Sequence, residues 1–221
     1  MRILALDGAL ARCAAALVVD GNVIAVRQEA GGRGQAGALP PMAEAVLAEA
    51  EIAAGSLDAI AVTVGPGSFT GLRAAISLAH GLAAAAGCPV IGVSVAEAMA
   101  AALPNLGGRE LWVAIDSHRG RVFLHRAGGE AESMALADVP LVTGRVAVAG
   151  DAAIAVACHL ASLDVDVMLT DVRLPPIRQV ALVAMQRLHG DIPPREAQPL
   201  YVDPPEAKLP AGGLRPPPRA E

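Results

Sequence analysis

The chain of 221 residues carries 17 lysines and arginines against 22 aspartates and glutamates, a formal charge of −5. That balance excludes a broad phosphate-binding face of its own, and with aromatic residues at 2% stacking on nucleobases has little to work with. Hydrophobic residues reach 54%, much of it alanine, in a chain long enough for a substantial core in one or two domains.

In chain order, RILAL is a short strand ending at Asp7. CAAALVVDGNVIAVRQE then reads as two strands around an Asp20-Gly21-Asn22 turn, a strong hairpin signal. LPPMAEAVLAEAEIAA, with apolar Met42, Val46 and Leu47, predicts a helix entered through its prolines. DAIAVTV is continuously apolar, as a strand buried on both faces is. The knot Gly65-Pro66-Gly67-Ser68-Phe69-Thr70-Gly71 follows, opening into a predicted helix from Leu72 to Ala86 that Gly87 and Pro89 stop. PVIGVSV is a further buried strand. SVAEAMAAAL is a helix with Ser94 as its cap and Glu97 three residues on.

The order β-β-β-α-β-α-β-α differs from a dinucleotide-binding fold, which alternates from the start. ELWVAID, closing on Asp116, echoes RILALD, and RVFLHR, RVAVAG, a helix near Asp151–Leu163, VDVML and a helix near Ile177–Leu188 follow. Two halves on one plan imply duplication and a cleft between them. The domains read as 1–104 and a reduced 105–202, with a proline-rich tail, 203–221, that cannot continue a packed domain.

Cys13, Cys88 and Cys158 make no CxxC pair or zinc spacing, which suits reduced, packed thiols. Asp7 and Arg12 interrupt any signal-peptide core. The uncharged run from Ala74 to Ala96 is cut by Gly81, Gly87, Pro89 and Gly92, so it reads as a helix and a strand in a cytoplasmic protein, with no membrane contact.

The knot is neither a P-loop, since Leu72-Arg73 stand where Lys-Ser/Thr would, nor a G-x-G-x-x-G fingerprint. It leaves two readings open: a generic anion site at a helix N-terminus, built from Gly65, Gly67, Ser68, Thr70 and Gly71 with Asp7 and Asp116 alongside, or a turn that lets a helix pack closely. Neither the histidines, His80, His118, His125, His159 and His189, nor any Ser-His-acid arrangement announces a metal or hydrolytic site. The Leu72–Ala86 helix is apolar nearly all round. One face is expected to cover the sheet, and the other to remain bare for a protein partner.

GPGSFTGLR, ILALD, ALPPMAEAVLAEA, AIDSHRGRVF and PLYVDPPEAKLP together resemble the TsaB, or YeaZ, family, over Met1 to about Leu209. The resemblance implies an actin-like, ribonuclease H-like α/β fold in two subdomains. It also implies a mainly non-catalytic role, supporting a TsaD-like catalytic subunit and a TsaE-like ATPase in making threonylcarbamoyladenosine on tRNA, which this chain contacts indirectly. No cofactor is expected on the chain alone, ATP with magnesium belonging to the interface of the complex. Pairing, with the partner or as a homodimer, is expected through Leu39, Met42, Val46, Leu72, Arg73, Ala75, Ile76, Ala79, His80 and Ala83. Gly8-Ala9 stand where the family has Thr-Ser or Thr-Ala, and Gln35 where it has a histidine. An independent actin-like ATPase or small-molecule kinase using Asp7, Asp116 and the knot is the alternative, and a metal-dependent peptidase would require zinc.

Overall fold

The computed structural model describes residues 1–31, 34–126 and 129–203, so the tail beyond Asp203 lies outside the described residues. Two five-stranded sheets share one plan. In the first, β1 (Arg2–Leu10), β2 (Arg12–Val19) and β3 (Asn22–Ala30) form an antiparallel meander, and β4 (Ala59–Gly65) and β5 (Val90–Ser94) add in parallel, giving the order β3-β2-β1-β4-β5. The second repeats this with β6 (Glu110–Asp116), β7 (Arg121–Arg126), β8 (Ala131–Ala135), β9 (Val146–Ala149) and β10 (Val167–Leu169), in the order β10-β9-β6-β7-β8. The expected duplication is visible in this topology. β8 falls in a stretch whose sequence carries no clear period.

Alternation along the strands decides the layers. Leu4, Leu6, Leu17, Ile60 and Val62 face α1 (Gln35–Glu49) and α2 (Phe69–Ala86), while Ile3, Ala5, Val18, Ala59 and Ala61 face α5 (Ile177–His189). With both faces covered, the strands need no polar side, and β4 is buried along its whole length. The second sheet buries one face against α4 (Ala153–Ser162) through Trp112, Val148 and Leu160. Its other face, with Val113, Ile115 and Ala149, meets Leu10, Leu72 and α3 (Val95–Ala101) through Met99 and Val95. The contact between the halves is therefore apolar.

Local signals account for the boundaries. Asp20 and Gly21 have φ of 49° and 81°, the left-handed pair that a two-residue hairpin turn demands. Ser94 and Glu97 form a complete capping box. Three boundaries move from their expected places. β1 continues to Leu10 through an irregularity after Asp7. α1 begins at Gln35, so Pro40 and Pro41 lie inside it rather than at its entrance. α2 begins at Phe69, because the Ser68 side chain accepts the Gly71 amide and caps it. α5, late in the chain, packs on the first sheet and on α3, so packing and chain order divide the molecule differently.

Candidate functional site

The knot and the end of β1 are brought together, and they close on each other. The Ser68 amide donates to the Ala9 carbonyl at 2.7 Å, and a Cβ on Gly67 would lie 2.1 Å from that same oxygen. A Cβ on Gly8 would lie 2.8 Å from the Gly71 carbonyl, so a larger side chain at position 8 would displace the start of α2. The Ser68 amide, one that would have to turn towards an anion, is spent on this clasp, and the Gly71 amide on the Ser68 hydroxyl. Of the two readings of the knot, the geometry favours the close-packing turn.

Asp7 lies beneath the clasp, fully buried. Its Oδ1 accepts the Ala9 amide at 3.0 Å and the Thr63 hydroxyl at 2.7 Å. Its Oδ2 makes no hydrogen bond, the nearest charge being the Arg12 guanidinium 4.0 Å away. Arg12 is itself held by the Pro175 carbonyl at 2.5 Å. Burial pushes the Asp7 carboxyl above the ordinary aspartate range despite Ala9, Thr63 and Arg12, which all act to lower it. A carboxyl raised in the folded state binds its proton more tightly there than when unfolded. Stability therefore grows as pH falls from the folded value towards the ordinary one. Urea unfolding from pH 7 towards pH 4 should show wild type gaining stability relative to Asp7→Asn, and a pH-independent difference would contradict this.

Asp116 repeats the local motif in the second half. Its Oδ1 accepts the His118 amide at 2.7 Å, as Asp7 accepts the amide two residues on, an Asx-type turn in both halves. The Asp116 amide donates to Asp151 at 2.9 Å, and the carboxylate lies 3.3 Å from the His118 ring. Asp116 is exposed where Asp7 is sealed. Their described polar partners differ, so the structure does not join them in one acid pair. Among the described residues no group of three His, Cys, Asp or Glu could hold a metal ion.

The expected pairing residues need correction. Leu39, Val46, Leu72, Ala75, Ile76, Ala79 and Ala83 are buried within the chain, packed on β1, β4 and each other. Met42 is half-buried, and only Arg73 and His80 are exposed. The apolar side of α2 expected to be bare is covered by α1. Past the Phe69–Thr70 start, α2 presents outward Arg73, Ser77, His80, Gly81, Ala84 and Ala85, and Arg73, Ser77, Gly81 and Ala84 run along it as a stripe at helical spacing.

Residues 192–201 form a strap that the sequence analysis did not identify. The Gly92 amide donates to Arg195, His80 lies 3.1 Å from the Ala197 carbonyl, and the Leu200 amide donates to Val64 at 2.7 Å. Tyr201 ends it on α2, its hydroxyl accepting Arg73 at 2.8 Å with the guanidinium lying over Phe69. Glu97 anchors its start, bound by the Ser94 amide, Arg187 and Arg195. Burial raises the Glu97 carboxyl, but those three partners outweigh it and hold it below the ordinary range.

The profile of the family described as "TsaD: tRNA N6-adenosine threonylcarbamoyltransferase" matches residues 25–189. The chain belongs to this family. The tRNA threonylcarbamoyladenosine biosynthesis protein TsaB of Escherichia coli K12 is 40% identical over 124 residues, 56% of this chain and 53% of that protein. Its Haemophilus influenzae counterpart is 36% identical over the same length, 56% and 52%. The chain thus spans about half the length of the curated relatives it matches. YeaZ from Pseudomonas aeruginosa superposes with a TM-score of 0.71 at 27% identity, covering 90% of this chain and 99% of that one. Component A of an Acidaminococcus fermentans 2-hydroxyglutaryl-CoA dehydratase, at TM-score 0.52 and 12% identity over 86% and 99%, shares the fold alone. These likenesses place the chain with TsaB and YeaZ in the actin-like ATPase superfamily. Among the described residues no helix is long and apolar enough to cross a membrane.

Proposed function

We propose that this chain is a non-catalytic partner subunit in the making of N6-threonylcarbamoyladenosine on tRNA, supporting a TsaD-like catalytic subunit with a TsaE-like ATPase. The observation that carries the reading is the clasp. In a chain of this family, the knot's Ser68 amide is spent on the Ala9 carbonyl, its Gly71 amide on the Ser68 hydroxyl, and Asp7 beneath is buried, which leaves the first half little equipment for phosphate chemistry. The acidic charge balance suits a subunit that reaches tRNA through its partner. ATP with magnesium then belongs to the assembled complex, at an interface with the partner.

The outward stripe of α2 is the surface to which the TsaD-like subunit docks. Small side chains there let a partner helix approach closely, and Arg73, fixed by Tyr201, gives it a rigid cationic edge. The decisive experiment reconstitutes tRNA modification from purified components with and without this chain. Formation of threonylcarbamoyladenosine should depend on it, and equal product in its absence would end the proposal. Calorimetry of the isolated chain with Mg-ATP should register no binding. Turnover by the chain alone, lost in Asp7→Ala, would favour an ATPase instead.

A further inference from the structure

The chain crosses between its two halves twice among the described residues. It leaves the first half after α3 to enter β6 at Glu110, and returns from β10, which ends at Leu169, to α5, which packs on the first sheet. The return crossing is Thr170-Asp171-Val172-Arg173-Leu174-Pro175-Pro176. Its beginning belongs to the second half: Thr170 donates its amide and its hydroxyl to the Val148 carbonyl, and the Val172 carbonyl accepts the Gly150 amide. Its end is tied to the first half through Arg12 of β2, whose Nη2 donates to the Pro175 carbonyl at 2.5 Å.

Arg12 stands between two acceptors. While Nη2 bonds Pro175, it lies 4.0 Å from Asp7 Oδ2, too far for a hydrogen bond. Asp7 Oδ2 and Arg12 Nε are both buried without a partner, an arrangement that strongly disfavours a charged carboxylate. With Asp7 protonated, Oδ1 goes on accepting Ala9 and Thr63 and Oδ2 carries the proton. With Asp7 ionised, a shift of about 1 Å brings Nη2 into hydrogen-bond range. Nε and Nη2 then form a fork on the carboxylate, which satisfies both orphaned atoms and gives up the Pro175 carbonyl. The two arrangements exclude each other, as a two-state element requires. The surroundings do not compete for the choice. β2 brings the Cys13 thiol beside Arg12, β4 the Thr63 hydroxyl, and the knot above carries no charge. α5 has no acid in its first turn, where Arg178 is bonded to the Gly21 carbonyl. In the second half Asp151 accepts the Asp116 amide, and the Asp116 carboxylate faces His118. Arg173, on the crossing itself, adds a buried Nη1 without a partner. Because burial raises the Asp7 carboxyl, its change of charge is displaced from the ordinary aspartate value towards neutral pH.

We propose that Arg12 is a proton-operated latch on the crossing between the halves. It holds the Pro175 carbonyl while Asp7 carries its proton, and turns to the Asp7 carboxylate once the proton is lost, which loosens the joint between the two sheets. The latch is separate from the α2 stripe and stands whether or not that stripe binds a TsaD-like subunit. Carbon-13 NMR of the full chain follows the Asp7 carboxyl carbon, and nitrogen-15 NMR follows Arg12 Nε. Both signals should move with one shared midpoint above the ordinary aspartate value. In Asp7→Asn the Arg12 signal should keep its acid position at every pH. Trypsin reads the release, because Arg173 lies on the crossing. Above the midpoint wild type should be cut after Arg173 about tenfold faster than Asp7→Asn, the loss of one charge-assisted hydrogen bond. Below it the two should be cut at the same rate. An Arg12 signal that ignores the Asp7 midpoint would overturn the proposal, as would an Asp7 that keeps one charge wherever the chain is folded. So would equal cleavage of wild type and Asp7→Asn on both sides of the midpoint.

Discussion

Gly67→Ala is expected to lower the free energy of unfolding by about 3 kcal/mol, at the upper end of the usual cost of overpacking. The added methyl would lie 2.1 Å from the Ala9 carbonyl oxygen, inside any tolerable contact, and that oxygen accepts the Ser68 amide. Neither side can move freely. Ala9 lies near the end of β1, between Asp7 and Leu10 that both pair with β2, and Ser68 caps α2. In a chain of this length the thermal midpoint should drop by roughly 6–12 °C. Gly81→Ala is the control. Its site is open within 4 Å and lies in mid-helix, so it should gain about 1 kcal/mol from helix propensity. A Gly67→Ala protein as stable as wild type would show that the clasp is not closed as described.

Gly81→Arg separates the partner surface from the core. The exposed position accepts a long side chain, and arginine is a better helix former than glycine, so the variant should melt no lower than wild type. Its bulk and charge would nonetheless stand in the middle of the Ser77–Ala84 stripe. Affinity for a TsaD-like subunit, read by calorimetry or co-purification, should fall by about 30-fold or more, the loss expected of an interface centre. Ala79→Arg makes the opposite case. Ala79 is fully buried, so that change should unfold the chain whether or not a partner exists. Wild-type affinity in Gly81→Arg would remove the stripe from the proposal.

That contrast shows where sequence reading works and where it stops. Capping residues and tight turns act within a few positions, so Ser94 with Glu97 and Asp20-Gly21 could be read directly, as could the strand–knot–helix order. The helix after the knot is apolar nearly all round, and periodicity cannot say how many neighbours cover it. Choosing its apolar positions as an interface selected the residues most suited to a core, Leu72, Ala75 and Ala79, while the positions left outward, Ser77 and Gly81, carry no hydrophobic signal. Asp7 was legible as a strand-end aspartate, but Thr63 and Arg12, which decide its state, are neighbours only in the fold. The strap was hidden for the same reason: its proline-rich sequence reads as loop, and its order comes from Gly92, Val64 and Arg73.

The placement of α5 governs the order in which the molecule can be completed. During synthesis the five strands of the first sheet emerge by Ser94, yet one of their faces stays uncovered until the segment ending at His189 has left the ribosome. A nascent chain at that stage exposes Ile3, Val18 and Ala61 to water, the situation in which unfinished proteins aggregate or recruit chaperones. A fragment ending near residue 104 should accordingly be insoluble by itself, and adding residues 177–201 as a separate peptide should rescue it.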